Sequence, residues 1–81
     1  MGKLLYCKNI GKRASVRAYY FRDGCRVYGN VFRGADLKDE IFCSCIESVG
    51  IPCRSKFDAV RLAKSINSLR LFRLLFPALR I

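Results

Sequence analysis

Asp23-Gly24 is the pair of residues that most narrows what this chain can fold into, because it stands between two β-prone runs, Val16 to Arg22 and Cys25 to Phe32. Asp-Gly between such runs is the strongest short-range hairpin signal: a type I′ turn needs positive φ at both central positions, which Gly adopts freely and Asp tolerates. With Asp23 and Gly24 as the turn, Arg22 lies opposite Cys25, Phe21 opposite Arg26, Tyr20 opposite Val27 and Tyr19 opposite Tyr28. Side chains alternate across a strand, so a hairpin over residues 16 to 32 has two chemically distinct faces. Val16, Ala18, Tyr20, Cys25, Val27 and Val31 make one face and read as core. Arg17, Tyr19, Phe21, Arg26, Tyr28, Asn30 and Phe32 make the other.

The flanking segments are weaker but legible. Leu4, Leu5 and Tyr6 suit a third strand over residues 3 to 8. Residues 36 to 49 fit a helix: Asp36 caps it, Asp39 and Glu40 complement its first turn, and Gly50 with Pro52 stops it. Leu37, Ile41, Cys45 and Val49 then share a stripe at four-residue spacing, although Ile41 to Ile46 is also β-tolerant. A second helix is expected over residues 55 to 67, opened by Ser55-Lys56-Phe57-Asp58, which resembles a capping box with Asp in place of Glu. Ala59, Leu62, Ala63 and Ile66 form its apolar stripe. Leu69 to Phe76 is apolar with Arg70 and Arg73 interspersed, ends at Pro77, and reads equally as helix or strand. The expected fold class is α+β, with a small antiparallel sheet followed by two helices and an apolar C-terminal segment.

An apolar fraction of 52 % over 81 residues points to one packed domain, residues 1 to 81, rather than a disordered tail. A domain of that size buries only about 60 % of its unfolded surface, so stability is thin. The apolar run after Lys3 is too short for a signal-peptide core, Tyr6 stands where a myristoylation signal has Ser or Thr, and no apolar run reaches a membrane-spanning length. The cytoplasm is the expected compartment. Five cysteines, an odd number, fit reduced thiols there. A zinc site from Cys25, Cys43, Cys45 and Cys53 lacks the paired two-residue spacing of zinc knuckles, so neither metal nor other cofactor is expected.

Charge indicates the class of partner. Sixteen Lys and Arg stand against six Asp and Glu, a formal +10 without any His. A small domain carrying that charge repels itself and suits a polyanion, provided that the cations gather into an exposed patch. They fall in two blocks. Residues 1 to 33 hold eight basic groups and Asp23, and residues 54 to 81 hold seven and Asp58. Between them Lys38 is outweighed by Asp36, Asp39, Glu40 and Glu47.

Two constellations carry the binding hypothesis. On the mixed hairpin face, Arg17, Tyr19, Phe21, Arg26 and Tyr28 combine stacking rings with phosphate-pairing guanidinium groups, the ingredients of a single-strand nucleic-acid platform. The competing explanation is that the helices pack on this face, which would make its aromatic residues core. The second constellation is the segment from 36 to 67, which resembles the general helix-turn-helix pattern in its Gly-containing turn and apolar spacing. That resemblance implies that Arg54, Lys56, Arg61 and Lys64 meet DNA on the second helix. A long turn and four acidic groups on the first helix favour an ordinary helical hairpin instead.

Catalysis is not expected: there is no His, no Gly-rich phosphate loop, and no Ser or Cys with an evident activating partner. The expectation is a small non-enzymatic nucleic-acid-binding protein, regulatory in character, with DNA and RNA both open. A small interaction or inhibitor protein docking on an acidic protein surface is the alternative. For the tail from 69 to 81, core closure or a homodimer contact ranks above attachment to an anionic membrane.

Overall fold

A computed structural model describes residues 2 to 33 and 45 to 79. The described residues form β1 (Lys3–Ile10), β2 (Ala14–Phe21), β3 (Gly24–Arg33) and β4 (Cys45–Cys53), followed by α1 (Lys56–Ser65) and α2 (Leu69–Leu75). The strands make one antiparallel sheet in the order β1-β2-β3-β4. This is an α+β arrangement, a meander followed by two helices.

The hairpin is present but its register differs from expectation. Phe21 pairs with Gly24 and Tyr20 with Cys25, so Arg22 and Asp23 form the two-residue loop. Gly24 has φ +143 and no non-Gly residue among those described has positive φ, so Asp23 does not adopt the type I′ geometry. Instead its carboxylate accepts a 2.9 Å hydrogen bond from Arg26 Nη2. The shift amounts to two residues, and with a side-chain period of two it leaves both faces as the alternation assigned them. A Gly at the first strand position therefore changed the pairing without changing what is inside.

The helix expected over residues 36 to 49 is not formed at its C-terminal end: residues 45 to 49 belong to β4, and 36 to 44 lie outside the described residues. Val27 pairs with Ile51, Gly29 with Val49 and Cys25 with Cys53, which turns Val49, Ile51 and Cys53 toward the core. The free edge of β3 needs a hydrogen-bonding partner, and this apolar alternation supplies one. Pro52 is compatible because its missing N–H falls on the side of β4 that faces away from β3. Gly50 and Pro52 consequently lie within a strand and end no helix.

Both helices cover the face formed by Val16, Ala18, Cys25, Val27 and Val31. Ala59, Ala63 and Ile66 from the α1 segment, with Phe72, Phe76 and Leu79, join those residues in one buried cluster. Ala59 and Ala63 let α1 lie close to the sheet. Gly29 does the same for the C-terminal segment, since a Cβ there would stand 2.6 Å from Phe76 Cδ2. Tyr20, assigned to the core from sequence, remains 39 % exposed. It lies near the end of β2, where the covering layer reaches it through Lys56, whose Nζ stands 4.2 Å from the ring centroid.

Serine starts both helices. Ser55 Oγ accepts from the Asp58 N–H at 3.1 Å and Ser68 Oγ from the Leu71 N–H at 3.2 Å, each satisfying one otherwise unpaired amide of a first turn. Ser55→Ala and Ser68→Ala are each expected to destabilise the protein by about 1 kcal/mol. Thermal denaturation should register about 4–8 °C for each.

Candidate nucleic-acid interface

The sheet face turned away from α1 and α2 is ordered into rows by the register. Ser15, Asn30 and Ser48 stand side by side, then Cys7, Arg17, Tyr28 and Gly50, then Leu4, Tyr19, Arg26 and Pro52. The first row is a polar ladder: Asn30 Nδ2 donates to Ser15 Oγ at 3.3 Å, and Ser48 Oγ donates to Asn30 Oδ1 at 2.6 Å. Ser15 and Asn30 are only 1 % and 8 % exposed, so these bonds satisfy groups that water does not reach. The ladder ties β2, β3 and β4 together beside the aromatic rows and holds that part of the face rigid.

Tyr19, Phe21 and Tyr28 form a triangle of rings with centroids 5.7 to 6.1 Å apart. Tyr28 meets each of the others at 77°, while Tyr19 and Phe21 are inclined by 30° to each other. Edge-to-face pairs of this kind stabilise the cluster beyond the area they bury. Gly50 orients Tyr28: a Cβ at that position would be 2.8 Å from Tyr28 Cε1, so the ring lies across β4 where a side chain would otherwise stand. Gly2 makes the same room for Phe21.

The two arginines are braced among these rings. Arg26 forms its ion pair with Asp23, and its guanidinium carbon lies 5.1 Å from the Phe21 centroid. Hydrogen bonding to Asp23, then to Tyr28, holds Arg26 above the ordinary guanidinium value. The Tyr19 side chain raises Arg17 against an opposing effect of burial, with Cys7 adding to the rise. Arg17 Nε is buried and has no hydrogen-bond partner among the described residues. All five residues expected on this face, Arg17, Tyr19, Phe21, Arg26 and Tyr28, are therefore brought together.

The other four are not with them. Arg54 follows β4, while Lys56, Arg61 and Lys64 project from α1 on the opposite layer. Lys56 packs on Tyr20, and Lys64 Nζ lies 5.7 Å from the Tyr6 centroid. Lys8 Nζ donates to the Lys64 carbonyl at 3.4 Å. These contacts fasten α1 to β1 and β2, so two of the four cations have structural work. The helix-turn-helix arrangement is absent as well, because the segment preceding Arg54 is β4. Among the described residues these cations are thus spread over both layers instead of gathered in one patch, so net charge no longer argues for a polyanion, and only the rings with Arg17 and Arg26 distinguish the face opposite the helices.

Sequence reasoning missed the Ser15, Asn30 and Ser48 ladder, which required knowing that β4 is a strand. It missed the pairing of Gly50 with Tyr28 for the same reason. Among the described residues no cluster of three or more metal-ligating side chains occurs. Of the zinc set considered from sequence, Cys43 and the Cys45 side chain lie outside what is described, so this absence concerns only Cys25 and Cys53. No described helix is long and apolar enough to cross a membrane. No protein-family model, curated protein or solved structure matches the chain.

Proposed function

We propose that this chain is a small non-enzymatic binding module that takes single-stranded nucleic acid on the sheet face opposite its two helices, where Arg17, Tyr19, Phe21, Arg26 and Tyr28 are half-exposed. The observation that carries the reading is the ring triangle of Tyr19, Phe21 and Tyr28 with Arg17 and Arg26 inserted among it, on the face opposite both helices. Bases stack on aromatic rings whatever their identity, each contributing about 1–3 kcal/mol, and guanidinium groups pair the phosphates between them. Arg17 adds a further reason for an anionic ligand. A buried N–H without an acceptor costs about 1–3 kcal/mol, and a phosphate that draws the guanidinium outward relieves it. Arg26 engages phosphate in competition with Asp23, which tempers the charge on the face and leaves stacking as the larger part of the affinity.

The test compares a random single strand, the matching duplex and an acidic polypeptide across a salt series. The single strand should bind most tightly, with log affinity falling as log salt rises by about 0.7 per phosphate neutralised. Tyr28→Leu and Tyr19→Leu keep apolar area but remove the flat ring, and each should weaken single-strand binding roughly tenfold or more. Binding that is steep in salt yet indifferent to both substitutions would assign the face to an acidic protein surface instead. Preference for duplex over single strand would likewise overturn the stacking mode.

A further inference from the structure

We infer that Cys25 and Cys53 are a dithiol that oxidised glutathione, or another small disulfide, closes into a bond between β3 and β4. The two residues are directly opposite in the antiparallel register, and both are free thiols. The Phe32 N–H donates to the Arg13 carbonyl at 2.8 Å, which fixes the hydrogen-bond phase: even-numbered residues of β3 bond to β2 and odd-numbered ones to β4. Cys25 and Cys53 are thus a hydrogen-bonded pair. Such pairs have Cα atoms about 5.5 Å apart, close to the separation most common across a disulfide. Both side chains point to the helix-covered side, where Cys25 is buried and Cys53 half-buried.

Cβ atoms of opposite residues are about 4.5–5.5 Å apart, whereas a disulfide needs about 3.5–4.5 Å. The strands must therefore approach by about 1 Å, and a bond formed under that strain is readily reduced again. The geometry points to a reversible latch.

Cys53 is the point of entry because it is the more exposed of the two. Its thiolate attacks one sulfur of glutathione disulfide, forming a mixed disulfide and releasing one glutathione thiolate. The Cys25 thiolate then attacks Cys53 Sγ, the mixed disulfide breaks, and the second glutathione leaves. The protein gives up two electrons and two protons, and glutathione disulfide takes both as two thiols. Burial pushes the Cys53 thiol up, with the Asp58 carboxylate on α1 and the neighbouring Cys25 on β3 adding to the rise. Its thiolate is consequently scarce near neutral pH, and the first exchange quickens as pH rises.

The bond would fasten β4 at the point where the chain leaves it for α1. Closing the long segment between the two cysteines restricts the unfolded chain and should raise the melting temperature by on the order of 10 °C. The test uses the full chain with Cys7, Cys43 and Cys45 replaced by Ser, so that only the two thiols in question remain. Incubation with glutathione disulfide should remove two hydrogens by mass, leave no titratable thiol and no bound glutathione, and produce the melting shift. Reduced glutathione should reverse all of these. Retention of both thiols, a stable glutathione adduct or a disulfide-linked dimer overturns the inference. So does a melting shift that persists when Cys53→Ser is added. A non-reducing peptide map of the unaltered oxidised chain supplies an independent readout, and it must join Cys25 to Cys53 ahead of any other pairing.

Discussion

Phe76→Ala is expected to destabilise the protein by about 3–5 kcal/mol, the range for truncating a fully buried aromatic side chain. The Phe76 ring is 0 % exposed, lies over the Gly29 backbone, and has its centroid 5.0 Å from that of Phe72. Sheet backbone beneath the ring and a second ring beside it leave little freedom for the space to close, which places the cost in the upper part of the range. A small domain has only about 5–15 kcal/mol in total, so the melting temperature should fall by on the order of 20 °C. Phe57→Ala is the matched control. Phe57 is 72 % exposed at the start of α1, and its loss should register within about 0.5 kcal/mol. Similar denaturation curves for the two variants would mean that the C-terminal segment is not seated on the sheet.

Gly29→Ala should also destabilise, by about 1–3 kcal/mol, although Ala ordinarily improves on Gly in a strand. The added methyl would stand 2.6 Å from Phe76 Cδ2 and 2.7 Å from Cγ, and a ring locked in the core has nowhere to move. Combining Gly29→Ala with Phe76→Leu should therefore cost less than the sum of the two changes, because the smaller side chain makes room for the methyl. Gly50→Ala is the informative contrast. Its methyl would meet Tyr28 Cε1 at 2.8 Å, a similar overlap, but that ring is half-exposed on the face opposite the helices and can lift. Stability should barely change there, while single-strand binding should weaken. Additive costs for Gly29→Ala and Phe76→Leu in urea denaturation would contradict the close approach at Gly29.

The inward and outward faces of the hairpin were legible because alternation survives a two-residue shift of register; the turn was not, since Asp23 found Arg26 as a partner. Ser55 was legible as a helix cap because its bond to the Asp58 amide is local. β4 was obscured by Gly50 and Pro52, two residues that usually end an element. Both are accounted for only in three dimensions: Tyr28 occupies the space above Gly50, and Pro52 turns its donor-free nitrogen outward. Gly29 carried a weak signal, a glycine inside an apolar strand pattern, which indicates a close approach without revealing what approaches. The five residues of the face opposite the helices could be grouped from their spacing, whereas the polar ladder beside them could not be seen before β4 was placed. The four cations assigned to a recognition helix shared only their sign and their proximity in sequence, and neither determines where a side chain ends up.

Pro52 has one more effect. An open meander exposes backbone donors and acceptors along both outer strands, and these can template lateral growth into fibrils. On β4 the proline removes a donor from that margin, and on β1 the irregularity between Leu4 and Tyr6 breaks the straight run of peptide groups. Together with mutual repulsion between strongly cationic copies, these interruptions disfavour edge-to-edge growth relative to a flat, unbroken margin.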